Sequence, residues 1–183
     1  LGKPELGLDA LRRSVRVNPS DVGSLMGLAR ALAEQFQTPE AIELYWRAFQ
    51  KAEGLDDQIK VVQTLTELYL RTDTFDRLIS RLENMAKELN QQRDMTICLA
   101  NCYQTAGDIG MATEVLQSLV SENTSDVLLL DELAKLSEQA EEYAEAVEYQ
   151  KQLVALTKSP DEEARLANLL IRSGDPEAAE ALW

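Results

Sequence analysis

The sequence predicts an all-α protein assembled from repeated pairs of short antiparallel helices, and three observations carry that expectation. Ala, Leu and Glu dominate a chain of 183 residues with 45% apolar content, only 5% aromatics and 8 Gly, a composition that favours helix. Apolar residues recur at helical spacing, first in Leu25, Leu28, Ala29 and Leu32, then in Ala41, Leu44, Tyr45 and Ala48, with the breaker Thr38-Pro39 between the two runs. The paired pattern then repeats along the chain.

A Leu-small dipeptide marks the first helix of each pair: Leu28-Ala29, Leu65-Thr66, Leu99-Ala100, Leu133-Ala134 and Leu166-Ala167, at successive differences of 37, 34, 34 and 33. Twelve residues after the second member of each dipeptide comes a position of the second helix, held by Ala41, Leu78, Ala112, Ala146 and Ala179. In chain order this predicts an orphan second helix at 4–18, four repeats at 22–55, 59–92, 93–126 and 127–159, and a truncated repeat at 160–183, all within one continuous domain over 1–183. Two antiparallel helices approach closely only where side chains are small, so Ala100 is expected to face Ala112 while Leu99, Tyr103 and Leu116 fill the space beside them. Gly107 permits a left-handed end to the first helix, and Asp108 can accept from the first free amides of the second.

A period near 34 with a helix-turn-helix pattern resembles the tetratricopeptide repeat. The stretch from Leu99 to Leu119 carries the large-small-x-x-aromatic pattern of that family's first helix, then Gly107-Asp108 at the turn, then Ala112 and Leu116. Leu133-Ala134, Tyr143 and Ala146 repeat it, as do Leu166-Ala167, Leu170, Gly174-Asp175 and Ala179. The resemblance covers essentially the whole chain and implies a right-handed α-solenoid whose units each touch only their neighbours. It departs from the family between Ile59 and Gln92, where Thr66, Leu78 and Met85 replace small residues and should hold two helices further apart. A three-residue excess at Glu53–Gln58 precedes that repeat and is expected to alter local stacking.

Charge and composition exclude several classes of function. The formal charge is −14, of which −10 falls from Glu122 onward, and such a surface repels nucleic acid and anionic lipid headgroups. The chain has no His, which removes the commonest general base, the Ser-His and Cys-His pairs and every His metal site. No Gly-rich phosphate loop and no nucleophile paired with a base are present, so neither catalysis nor a cofactor or metal is expected. No window approaches the roughly 18 apolar residues of a membrane span. Two Cys suit a reducing, cytoplasmic setting. The sequence opens without Met and stops inside an expected helix at Trp183, as an excised piece would, which leaves room for a targeting or membrane segment elsewhere.

The resemblance implies a groove lined by first helices that holds a protein or peptide. Its lining is expected to include Met26, Gly27 and Arg30; Gln63, Thr64 and Glu67; Ile97, Cys98 and Asn101; Asp131, Glu132 and Lys135; and Ala164, Arg165 and Asn168. The carboxylate clamp of chaperone-binding members is absent, since its places hold Met26, Arg30, Thr64, Asp94 and Cys98. The asparagine ladder of the sugar-transferring member is absent too. Met26 with Gly23 and Gly27 suggests an adaptable floor, and Asp131 with Glu132 an acidic stretch, together fitting a partner with basic and apolar residues. The alternatives are a regulatory or substrate-selecting region of a larger enzyme, and self-association through exposed ends. Cys102 takes a buried scaffold position and Cys98 a groove position. Glu141, Glu142, Glu145 and Glu148 read as a solvated outer face, Arg12, Arg13 and Arg16 as a basic patch serving solubility or an acidic neighbour, and Asn123-Thr124-Ser125 as a sequon.

Overall fold

Helix signals and breakers along the chain produce eleven helices among the described residues. The computed structural model of the chain describes residues 3–89, 92–120 and 125–182. The helices are α1 (Lys3–Val17), α2 (Val22–Glu34), α3 (Thr38–Lys51), α4 (Leu55–Arg71), α5 (Phe75–Leu89), α6 (Gln92–Ala106), α7 (Ile109–Gln117), α8 (Val127–Gln139), α9 (Tyr143–Thr157), α10 (Pro160–Ser173) and α11 (Pro176–Glu180). The Asn123-Thr124 part of the sequon and Trp183 lie outside the described residues. The chain divides into two compact units, Leu1–Ala106 and Gly107–Trp183.

Asp starts four of these helices by offering a carboxylate to an otherwise unpaired amide. Asp21 accepts from Ser24 N at 2.7 Å, Asp108 from Met111 N at 3.0 Å, Asp126 from Leu129 N at 3.2 Å and Asp175 from Ala178 N at 3.0 Å. Hydrogen bonds from the Ser24 side chain and amide hold the Asp21 carboxyl below its ordinary range. Proline opens α3, α10 and α11, where its missing N–H costs no helical bond.

The turn inside each pair uses one conformation. Phe36, Asp73, Gly107, Glu141 and Gly174 all have positive φ, at 61°, 54°, 84°, 62° and 90°, and they are spaced like the Leu-small dipeptides. The following amide reaches back to a carbonyl five residues earlier, as in Gln37 to Leu32 (2.9 Å), Thr74 to Tyr69 (3.0 Å), Glu142 to Ser137 (2.8 Å) and Asp175 to Leu170 (2.9 Å). This is the Schellman closure, which favours Gly because a Cβ is strained there. Glu141→Gly should therefore stabilise the second unit by about 0.5–1 kcal/mol, the relief of left-handed strain outweighing the added freedom of the unfolded chain. Thermal denaturation of the variant checks it; an unchanged or lower midpoint contradicts it.

In the first unit α2 packs closely against α3, with Ala29 and Ala41 both fully buried, and α1 covers part of α2. A Cβ added at Gly27 would meet Leu11 Cδ2 at 3.2 Å, so Gly27 lets α1 approach closely. The next pair is looser: α4 and α5 contact one another far more sparsely than α2 and α3, and Thr66 and Leu78 are both fully buried. The excess at Glu53–Gln58 lengthens α4 to 17 residues, beginning at Leu55. Helix α6 packs on both α4 and α5.

In the second unit α8 and α9 pack closely through Ala134 and Ala146, both fully buried. Helix α10 covers α9, and Ala167, Leu170 and Ala179 close a cluster with Val147 and Leu166. Gln150 is wholly buried on α9, and its amide nitrogen donates to the backbone oxygen of Glu162 (3.0 Å) and to its carboxylate (2.6 Å). Ala100 in the first unit and Ala112 in the second are each buried.

Candidate functional site

The first-helix face of the first unit contains a small recess. Arg30 on α2, Thr64, Glu67 and Arg71 on α4 surround Tyr45, which α3 sends between them, and the hollow measures about 180 Å³. Tyr45 is only 2% exposed, and burial raises its hydroxyl above the ordinary value of 10.0 while a hydrogen bond from Arg30 opposes that shift. Three of the groove residues named from the sequence, Arg30, Thr64 and Glu67, thus meet around an aromatic hydroxyl. The contribution of Tyr45 and Arg71 escapes sequence reasoning; Tyr45 reads from sequence as core, and Arg71 lies six residues past the first member of the Leu-small dipeptide. Met26 is half-buried on the same helix as Arg30.

Helix α6 does not offer a groove surface at the expected positions. Ile97 and Cys98 are fully buried and Asn101 is 7% exposed, because α4 and α5 both pack on this helix. Asn101 donates to Ile97 O at 3.1 Å, and its side-chain oxygen accepts from exposed Gln63 at 3.4 Å. The repeat register assigns Cys98 to the groove and Cys102 to the scaffold; both are scaffold. Burial pushes each thiol from 9.0 up to about 12.

A thiol-directed maleimide at neutral pH should therefore leave both cysteines unmodified in the native protein and label them only at the rate of local opening. The sign of the pH effect follows: below pH 9 both states keep the thiols protonated, whereas between 9 and 12 only the unfolded chain ionises, so stability falls through that window. Labelling of Cys98 as fast as a free thiol contradicts the burial.

The second unit arranges its first-helix face as a ladder of ion pairs. Arg165 on α10 meets Asp131 on α8 at 2.8 Å and Glu138 at 3.6 Å. Arg172, two turns further along, bonds Glu138, donates to the Tyr143 hydroxyl at 2.9 Å and lies 4.4 Å above that ring. Lys135 reaches Asp131 at 2.6 Å and Glu132 at 3.0 Å. Acid and base thus pair at a separation of 34, one more than the 33 between Leu133 and Leu166, in Asp131 with Arg165 and Glu138 with Arg172. The acidic stretch expected at Asp131 and Glu132 is present but is largely answered from within the unit. Asn168 is exposed and bonds its own helix at Ala164 O, 3.0 Å.

These helix pairs match known proteins in sequence and in fold. A family model described as tetratricopeptide repeat matches residues 22–67, which run from α2 through most of α4. Among solved structures, a thermophilic tetratricopeptide protein of Thermus thermophilus superposes with a TM-score of 0.53 at 19% identity, covering 93% of this chain and 92% of that one. The C-terminal part of a repeat-containing protein from Cytophaga hutchinsonii gives 0.54 at 13% identity, over 96% of this chain and 68% of that one. PilW, a type IV pilus biogenesis factor, gives 0.52 at 14% identity, over 95% and 80%. Identities this low speak to fold alone. No curated protein sequence matches the chain closely enough to count as a relative. The chain has an all-α fold of helix pairs similar to that of tetratricopeptide-repeat proteins.

Proposed function

We propose that the chain is a scaffold that binds a protein or peptide segment along its first-helix faces. Repeats of this type generally serve protein–protein interaction, and the observation that carries the reading here is the Arg30–Tyr45–Glu67–Arg71 recess, a concave, mixed-charge spot on that face. A partner segment with apolar and basic residues fits the first unit, with an apolar side chain near Met26 and Lys or Arg near Glu67; the second unit, which carries 17 acidic and 5 basic residues, favours a basic segment in its own right. Because Lys135 and Arg165 already engage Asp131 and Glu132, a basic partner residue must compete with them there. Among the described residues no helix is long and apolar enough to cross a membrane.

The test is capture of a partner on the immobilised chain from the source cell, followed by affinity measurement against Glu67→Lys and the pair Asp131→Lys, Glu132→Lys. Weakened binding supports the reading, and unchanged binding to both variants moves the site elsewhere. Self-association is a second reading, favoured by apolar side chains left exposed near the ends, Val17 at 87% and Ile171 at 58%. Light scattering across concentration separates the two: a constant mass argues against it.

A further inference from the structure

The loose repeat of the first unit leaves an opening on its second-helix side. A cleft of about 950 Å³ lies between the end of α3, the start of α4 and the outer face of α5. That volume is at the upper end of the range of roughly 300–1,000 Å³ found for ligand clefts. Its origin is in the sequence: Thr66 and Leu78 hold α5 away from α4, and the lengthened start of α4 brings Gln58 to the cleft edge. Phe49, Ala52 and Met85 make the apolar part of the lining.

The charges around it are ordered along α5. Asp76 stands in the first turn, where the free helix amides already stabilise a carboxylate, and Glu88 stands in the last. Between them Arg77 and Arg81 face the cleft one turn apart. The guanidinium carbon of Arg81 lies over the Trp46 ring, 4.0 Å from its centre, a cation–π contact that fixes where the charge sits. Neither arginine is in an ion pair among the described residues, in contrast to Arg165 and Arg172 of the second unit. A preorganised, unpaired guanidinium pair beside an apolar floor is what a carboxylate next to an apolar side chain requires.

We propose that this cleft is a second docking site, for an acidic peptide segment that places Asp or Glu against Arg77 and Arg81 and an adjacent Leu or Phe side chain against Phe49 and Met85. It is separate from the first-helix recess: α3 gives Tyr45 to the recess, and Phe49 and Gln50 to the cleft. The chain then holds two segments of opposite charge, a basic one on the first-helix face and an acidic one behind it.

A display selection of random peptides on the whole chain, counter-selected on the variant Arg77→Glu/Arg81→Glu, tests this. Peptides that bind the natural chain and lose about tenfold or more affinity for the variant should be rich in Asp, Glu, Leu and Phe. Ser80→Trp, which fills the cleft without changing charge, should lose the same peptides, and a Lys-for-Glu version of the best peptide should regain binding to the Arg77→Glu/Arg81→Glu chain. The three substituted positions are on the surface of α5, so circular dichroism of each variant should match the natural chain. Arg77→Gln/Arg81→Gln supplies the milder form if the double reversal does not fold. The proposal fails if no peptide discriminates, if the discriminating peptides are basic or uncharged, or if the chain carrying Ser80→Trp binds them undiminished.

Discussion

Replacing Trp46 with Ala should cost the first unit about 3–5 kcal/mol. The side chain is 2% exposed and touches three helices. It sits edge-on to Phe49 at 5.5 Å on α3, donates from its indole N–H to the Tyr69 hydroxyl on α4 at 3.3 Å, and carries Arg81 of α5 on its face. Truncation opens a cavity and leaves the buried Tyr69 hydroxyl without its donor, two penalties that add. The loss should be local, because units of a solenoid are stabilised by their neighbours. Hydrogen exchange should show α3, α4 and α5 opening faster while α8, α9 and α10 keep their protection. Equal loss in both units, or no loss, contradicts this assignment of Trp46 as the pin of the loose repeat.

Arg165→Glu should destabilise the second unit by about 1–3 kcal/mol, and the loss should shrink as salt is added. Arg165 is 24% exposed and Asp131 26%, so the pair is partly shielded from water and its energy is larger than that of a fully exposed pair. Reversal sets a third carboxylate beside Asp131 and Glu138 and leaves Arg172 as the remaining cation from α10 on that face. Urea denaturation at low and high salt measures both the size and its salt dependence. A change of about a few tenths of a kcal/mol would mean that the ladder is only a surface arrangement. The same variant bears on binding: with Arg165 gone, Asp131 keeps only Lys135 as its cation, so a basic partner should bind more strongly even as the unit weakens.

The fold was legible because its determinants are local and periodic. Small residues at Ala29 and Ala41, or Ala134 and Ala146, tell where helices can touch, and all four are fully buried. Larger Thr66 and Leu78 correctly signalled the loose pair, but not the cleft that follows, since a cavity depends on where α3, α4 and α5 settle together. The left-handed turns were readable at Gly107 and Gly174; at Phe36 and Glu141 the residue type argues against that conformation, and only the repeat register points to it.

The surface was less legible for a physical reason. A groove position in one repeat is covered or free according to its neighbours, and Ile97, Cys98 and Asn101 are covered by α4 and α5. The neutralisation of Asp131 and Glu138 was present in the sequence as acid and base one residue out of register in successive repeats, Asp131 with Arg165 and Glu138 with Arg172. Reading each repeat alone hides that signal. The division after Ala106 has no such mark, because Gly107 and Asp108 form the same turn seen in the other pairs.

Hydrogen exchange on the chain with and without its captured partner tests whether the first-helix faces are the binding surface. Protection should appear in α2 and α4 around Arg30 and Glu67, and in α8 and α10 around Asp131 and Arg165. Protection confined to other helices, with α2, α4, α8 and α10 exchanging as in the free chain, would contradict it.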